Sequence, residues 1–359
     1  MTDSFFRPEI DTLPAYVPGK KATDPSVIKA ASNEMPFPTL PGVQAALATQ
    51  LAQINRYPDM SGADMIAQIA AYHEISVDEV AISNGSTDLV ELFLSAVCTP
   101  DSEVVYPWRS FEAYPIAVQV AGARSVQVPL RADGNNDLRN MLKAITPATR
   151  AIMICTPNNP TGSALTHTEL RAFLHEVPQR IPVLLDEAYV DFVDMDDAVD
   201  GIALAREFAN VISLRTFSKA YGLAGIRAGY AVGNPTIIKG LRAIATPFGV
   251  NMLAQTAARS ALQERPEVDR RVGIIKDERT KLTTALRALG WTGPDSQSNF
   301  IWVPTGDVTN ELAALCEAEG LTVRAFSGEG TRMTVAEPEA NLRFVRAFGK
   351  FRTAQHEKE

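Results

Sequence analysis

Lys219 lies within Thr216-Phe-Ser-Lys-Ala-Tyr-Gly-Leu-Ala-Gly-Ile-Arg227, and Asp186-Glu-Ala-Tyr189 precedes it. An amine can condense with an aldehyde, and a carboxylate can pair with a heterocyclic nitrogen. A phenol can reach a ring oxygen, and an arginine can clamp a phosphate. Upstream, Asn84-Gly-Ser-Thr-Asp88 runs into Leu89, Leu92, Phe93 and Ala96, whose spacing is that of one helical face. That places Gly85, Ser86 and Thr87 at a helix N-terminus, where free amides suit a phosphate. Amine, carboxylate, phenol, cation and amides together are what pyridoxal phosphate requires.

The catalytic assignments are Lys219, Asp186 and Tyr189. Lys219 is expected to form a Schiff base and then to move the proton between the substrate α-carbon and the cofactor, a double role suited to a lysine whose pKa falls on desolvation by Phe217 and Tyr221. A carboxylate at ~4 Å from a pyridinium gains on the order of 4 kcal/mol at an effective dielectric of about 20. Asp186 would thereby keep the ring nitrogen protonated. The further cofactor contacts are Thr216, Ser218, Arg227, Asn159 in the turn Thr156-Pro-Asn-Asn-Pro-Thr-Gly162, and Phe111, placed to stack on the ring. Each motif also has a plain structural use: a capped helix, a strand end, an ordinary Asn-Pro turn, a core aromatic, a surface ion pair. Their co-occurrence is what favours a site.

Positioning these residues takes a parallel sheet. From about Gly42 to Ala245 short apolar runs alternate with amphipathic segments, the βαβ pattern. The runs 151–155, 183–185 and 211–214 each end in one of the polar motifs, and ligands of open α/β sheets bind beyond strand carboxyl ends. All three therefore aim at one crevice. Downstream, a long helical tract is expected from Leu253 to about Leu289, then strands at 299–303 and 321–324. The organisation expected is an N-terminal arm contributing to a small domain (1–41), a large cofactor-binding domain (42–245) and a C-terminal small α+β domain (246–359).

Bulk properties exclude several classes. A formal charge of −8 over 359 residues opposes the basic footprint of nucleic-acid binding. Cys98, Cys155 and Cys316 are far apart, without CxxC or Cys/His clustering, so neither a disulfide framework nor a metal site is expected. No stretch of about 18 apolar residues and no leader-like start occurs, so the expected location is the cytoplasm, away from membranes.

In Ser32-Asn-Glu34, Arg56-Tyr-Pro-Asp59, Pro157-Asn-Asn-Pro-Thr-Gly162, Asp186-Glu-Ala-Tyr189, Ser218-Lys219 and Arg227, the chain resembles the fold type I pyridoxal phosphate aminotransferases over nearly its whole length, within the histidinol-phosphate aminotransferase subfamily. The resemblance implies the aspartate-aminotransferase-like α/β fold. It implies a homodimer in which Tyr57 crosses to the partner's cofactor phosphate, and Arg332 gripping the substrate's anionic end with Arg324 nearby. Pro14-Ala-Tyr-Val-Pro-Gly-Lys20, Trp108-Arg-Ser-Phe-Glu-Ala-Tyr114 and Val323-Arg-Ala-Phe326 look most like the actinobacterial aromatic amino acid aminotransferases, also called phenylalanine aminotransferases. The implied reaction is transamination between an aromatic amino acid and 2-oxoglutarate, with Tyr16, Asn33, Phe37, Trp108, Asn159 and Phe326 around the substrate. Phe111 replaces the tyrosine usual in histidinol-phosphate enzymes, and Met35 is apolar; both favour an apolar side chain. The alternatives are histidinol-phosphate transamination and, as a lyase, decarboxylation of an amino acid phosphate.

Overall fold

The computed structural model describes residues 26–357 together with residues 5, 8–13 and 24. Tyr16 and the rest of the 14–20 segment lie outside the described residues. Among the described residues a short helix, Pro8–Asp11, precedes the first strand, the two-residue β1 (Ile28–Lys29). The main sheet follows from β2 (Val80–Ser83), β3 (Glu103–Trp108), β4 (Arg124–Pro129), β5 (Thr149–Cys155), β6 (Val183–Asp186), β7 (Val211–Thr216) and β8 (Gly229–Gly233). Its order is β2-β8-β7-β6-β5-β3-β4, and only β8 runs against the others.

Both faces of the central strands β5, β6 and β7 are covered, which is why they read as near-continuous apolar runs rather than as alternation. On β5, Ala151, Met153 and Cys155 pack on one face with Leu89, Phe93, Tyr106 and Tyr114. Ile152 and Ile154 pack on the other face with Leu165, Leu170, Phe173 and Leu185. Each such side chain contributes roughly 1.5–3 kcal/mol on burial. The strand ends, and the polar residues just beyond them, are thus held on a rigid platform.

The remainder builds a second, smaller sheet of β9 (Phe300–Val303), β11 (Arg324–Phe326) and β12 (Gly330–Thr334), in the order β11-β12-β9, all antiparallel. The expected strand at 321–324 is in fact two: β10 (Leu321–Thr322) pairs with β1, and β11 joins the small sheet. The expected single helical tract is likewise two helices, Met252–Gln263 and Arg265–Ala288. Pro266 in the first turn of the second helix explains the break, since its ring fits a helix start but not an interior. One continuous core joins the small sheet to the edge of the large one, with Phe300, Ile301 and Met333 in the same cluster as Tyr189, Phe217 and Tyr230.

Candidate active site

Strands β5, β6 and β7 end side by side, with Cys155 opposite Asp186 and Asp186 opposite Leu214. A cavity of about 450 Å³ opens beyond them, walled by Phe111, Asn159, Asp186, Tyr189, Thr216, Ser218, Lys219 and Arg227, with Ser86 and Thr87 at its far end. Five separate sequence motifs meet there. The pairing of neighbours Asp186 and Glu187 shows how the strand sorts them, because successive side chains point to opposite faces. Asp186 faces the cavity. Glu187 turns away to meet Arg215 at 3.1 Å, the hydroxyl of Ser213 and the amide of Gly201 at 3.2 Å. A side chain at Gly201 would collide with that carboxylate, so the close approach requires glycine.

Asp186 is buried and accepts from the phenol of Tyr114 at 2.9 Å and from the amide of Ala188 at 3.1 Å. Burial nonetheless pushes its carboxyl above the usual range, the two hydrogen bonds and Lys219 opposing that shift. Lys219 is half-buried and donates to the carbonyl of Ser32 at 3.2 Å. Desolvation, reinforced by the guanidinium of Arg332, lowers its amine to about 7. An amine in that range is about half free base at neutral pH. Tyr189 is buried, and desolvation raises its phenol above the usual range, so it keeps its proton.

Tyr189 in turn accepts from the side-chain amide of Asn33 at 2.9 Å. Asn33, at a φ of 56°, is locked by Thr334 and Asn299, so it supports Tyr189 from behind instead of standing in the cavity wall. Arg332 reaches Asn159 Oδ1 at 2.5 Å and the carbonyl of Ala31 at 2.7 Å. Asn158 anchors the same turn by donating to the carbonyl of Arg109 at 3.1 Å and accepting from Ser110 at 2.7 Å. Asn159 is thereby left facing the cavity.

At the far end the helix Ser86–Val97 starts without a side-chain cap on its first amides. Gly85 precedes it at a φ of 90°, and a Cβ there would fall 2.6 Å from Arg227 Nη2. Gly229 on β8 abuts the same turn, where a Cβ would lie 2.6 Å from the amide nitrogen of Ser86. Two glycines therefore let a guanidinium and a helix start close on one small volume. Arg227 spans it, donating to the carbonyl of Ala224 at 3.0 Å and to Ser218 at 3.3 Å, while Thr216 and Ser218 share a hydrogen bond of 3.0 Å.

Other expected site residues stand apart from this wall. Trp108 carries Arg109 over its ring at 4.2 Å, and Phe37 packs against the core beneath Arg271. Arg324, opposite Arg332 across β11 and β12, pairs with Glu112 at 2.7 Å, and Phe326 lies between the two arginines. Tyr57 is 80% exposed and stacks on Phe248 outside the cavity. The sequence reading missed Tyr114, Asn158, Glu187 and Arg215. The adjacent acids 186–187 at a strand end were a signal for the last two, since one of them had to face away from the crevice.

A seven-stranded platform, a lysine just beyond one strand, a carboxylate at the end of the next and an anion cradle beside them make a concave site whose groups can hold and act on a small anionic ligand. The chain belongs to the family aminotransferase class I and II, whose sequence profile matches residues 25–348. It is 45% identical over 353 residues to the aromatic amino acid aminotransferase of Streptomyces avermitilis, covering 98% of each chain. It is 44% identical over 345 residues to the enzyme of that name from Mycobacteroides abscessus, covering 95% of this chain and 98% of the relative. Among solved structures, histidinol-phosphate aminotransferase from Sinorhizobium meliloti, in complex with pyridoxal-5'-phosphate, superimposes with a TM-score of 0.87 at 25% identity over 98% of both chains. Thermus thermophilus aspartate aminotransferase shares the fold at a TM-score of 0.80 and 22% identity, covering 96% of this chain and 99% of that one.

Proposed function

We propose that this aminotransferase uses pyridoxal phosphate to exchange the amino group of an aromatic L-amino acid, phenylalanine first, with 2-oxoglutarate, giving the aromatic oxo acid and L-glutamate. The observation that carries the reading is the convergence of the Lys219 amine, the Asp186 carboxylate and the cradle of Ser86, Thr87 and Arg227 on one cavity.

The residues fit the cofactor. A volume of about 450 Å³ lies in the range of small-ligand pockets. The cradle formed by Gly85 and Gly229 is a space that two β-carbons would fill, and its donors are amides, hydroxyls and a guanidinium, the set that binds phosphate. Lys219 would carry the aldehyde carbon, Asp186 the ring nitrogen, Asn159 and Tyr189 the ring oxygen, and Phe111 one ring face. When bound, the group supplies an electron sink for the pair released at the substrate α-carbon.

The chain's own residues supply the remainder. Lys219 Nζ, with its amine near neutrality, takes the α-proton and returns it. Asp186, which lines the cavity, would hold a proton at the ring nitrogen. Tyr189, its oxygen already accepting from Asn33, keeps its hydroxyl hydrogen for donation toward the reacting end. Arg332 offers the carboxylate clamp, pre-oriented by Ala31 and Asn159. The division that goes with this reading is residues 1–41 as an arm and part of a small domain, 42–245 as the cofactor-binding domain and 246–359 as the rest of the small domain.

A homodimer belongs to this reading. Leu51, Ile54, Tyr57, Met60 and Phe248 are exposed large apolar residues, with Ile54 at 61% and Met60 at 64%. A patch of that kind suits a second copy. Tyr57 would then reach the partner's cradle. Free thiols at Cys98, Cys155 and Cys316 suit a reducing cytoplasm, and no helix among the described residues is long and apolar enough to cross a membrane.

Comparing kcat/KM for phenylalanine and histidinol phosphate tests the substrate. Preference for phenylalanine is expected; a strong preference for histidinol phosphate supports the second reading, which the paired arginines Arg324 and Arg332 also allow. Carbon dioxide release without an oxo acid identifies a lyase instead.

A further inference from the structure

Asp186 reaches the cavity with both of its oxygens already engaged from the protein side. Ala188 supplies a main-chain amide, and Tyr114 a phenol, from the helix Ala113–Val120. Tyr114 is 1% exposed, and its ring is wedged edge-on against Phe111 at 5.7 Å and against Tyr106 at 6.0 Å. Tyr114 follows Phe111 by three positions, so one turn of chain delivers a cavity-wall aromatic and the phenol behind it. The packing fixes the ring, and the fixed ring fixes the direction of its O–H.

We propose that Tyr114 is a positioning residue of the site: its phenol holds Asp186 ionised and aimed at the ring nitrogen of the cofactor, while its ring edge braces Phe111 on the cavity wall. The inference rests on the cofactor reading given above. The groups facing Asp186 are Tyr114 from its helix, Cys155 from β5, Glu187 next along the chain, Tyr189, and Lys219 from the loop after β7. Burial, and then the charge of Asp186, push the Tyr114 phenol far up, so it remains a donor throughout the working range. Burial raises the carboxyl as well, toward protonation, and only its hydrogen bonds and Lys219 resist. A hydrogen bond to a charged acceptor changes such an equilibrium roughly 10- to 100-fold. Without the phenol, Asp186 becomes the stronger base and draws the proton off the ring nitrogen. The electron sink is then weakened although every residue that touches the cofactor is still present.

Tyr114→Phe keeps the ring and both edge contacts and removes one oxygen. Wild type and Y114F are loaded with pyridoxal phosphate carrying ¹⁵N in the ring, and the nitrogen resonance is followed from pH 6 to 9. The expected result is a shift of the Y114F resonance from the protonated toward the neutral position, with kcat down roughly 10- to 100-fold and KM within about threefold. A resonance identical to wild type with kcat within twofold overturns the proposal. If Y114F does not load, 3,5-difluorotyrosine incorporated at position 114 preserves the shape and makes the phenol a stronger donor. The resonance then stays at or beyond the wild-type position across the pH range, and a shift toward the neutral position overturns the proposal. Wild type that acquires no borohydride-fixed label on Lys219 refutes the cofactor reading itself, which is a separate outcome.

Discussion

The amine of Lys219 titrates at about 7 where an ordinary lysine titrates near 10.5. Desolvation is the largest cause, followed by the guanidinium of Arg332; Glu34 pulls upward, Arg227 downward and Asp186 upward. At pH 7 about half of the molecules then carry the nucleophilic free base, against roughly one in 3,000 for an unperturbed lysine. The perturbation that isolates the electrostatic part is Arg332→Gln. At an effective dielectric of about 20 a nearby charge is worth on the order of 1–2 kcal/mol, so its removal raises the midpoint by roughly one pH unit. The assay mixes cofactor-free protein with pyridoxal phosphate between pH 6 and 10 and follows covalent attachment by absorbance. The rate should rise with pH to a plateau, with its midpoint near 7 in wild type and near 8 in R332Q. Asp186→Asn removes an attraction for the ammonium and should move the midpoint down. A wild-type midpoint near 10, or an R332Q midpoint at or below that of wild type, refutes the reasoning.

The same amine should tax stability. Because its folded value is depressed, the unfolded chain binds the extra proton between about pH 7 and 10.5, so stability rises with pH across that window. Lys219→Met should therefore stabilise the cofactor-free protein below pH 7 by about 2–4 kcal/mol, discounted because the side chain is only half-buried, and the gain should vanish above pH 10.5 in thermal melts. Gly229→Ala places a methyl against the Ser86 amide and should weaken cofactor binding at least tenfold by equilibrium dialysis, with less than fivefold change in substrate KM once loaded. Ile54→Glu charges the exposed apolar patch, and light scattering should find the 38.9 kDa single chain in place of the dimer.

The parallel sheet and the converging cavity were legible because apolar runs ended directly in chemically distinctive residues. Lys219, Asp186, Tyr189, Asn159 and Arg227 needed only the rule that ligands gather at strand carboxyl ends. The supporting contacts were not legible in the same way. Tyr114 meets Asp186 across 72 residues of chain and Asn33 meets Tyr189 across 156, and no local pattern encodes such distances. The pairing of Arg324 with Glu112, 212 residues away, is a tertiary fact of the same kind. The break at Pro266 was legible and was overlooked, since apolar periodicity continues on both sides of it.

The reversed strand β8 has a further consequence. It slots between β7 and β2 and brings Gly229 against Gly85, joining points of the chain separated by more than 140 residues. Closing so long a loop is among the slowest contacts a chain makes. The anion cradle is therefore complete only when this distant strand has been threaded home, and a polypeptide still emerging, or cut short of that glycine, has the lysine but nowhere to seat a phosphate. On the cofactor reading proposed above, capture of that group would report that β8 has reached its place in the sheet.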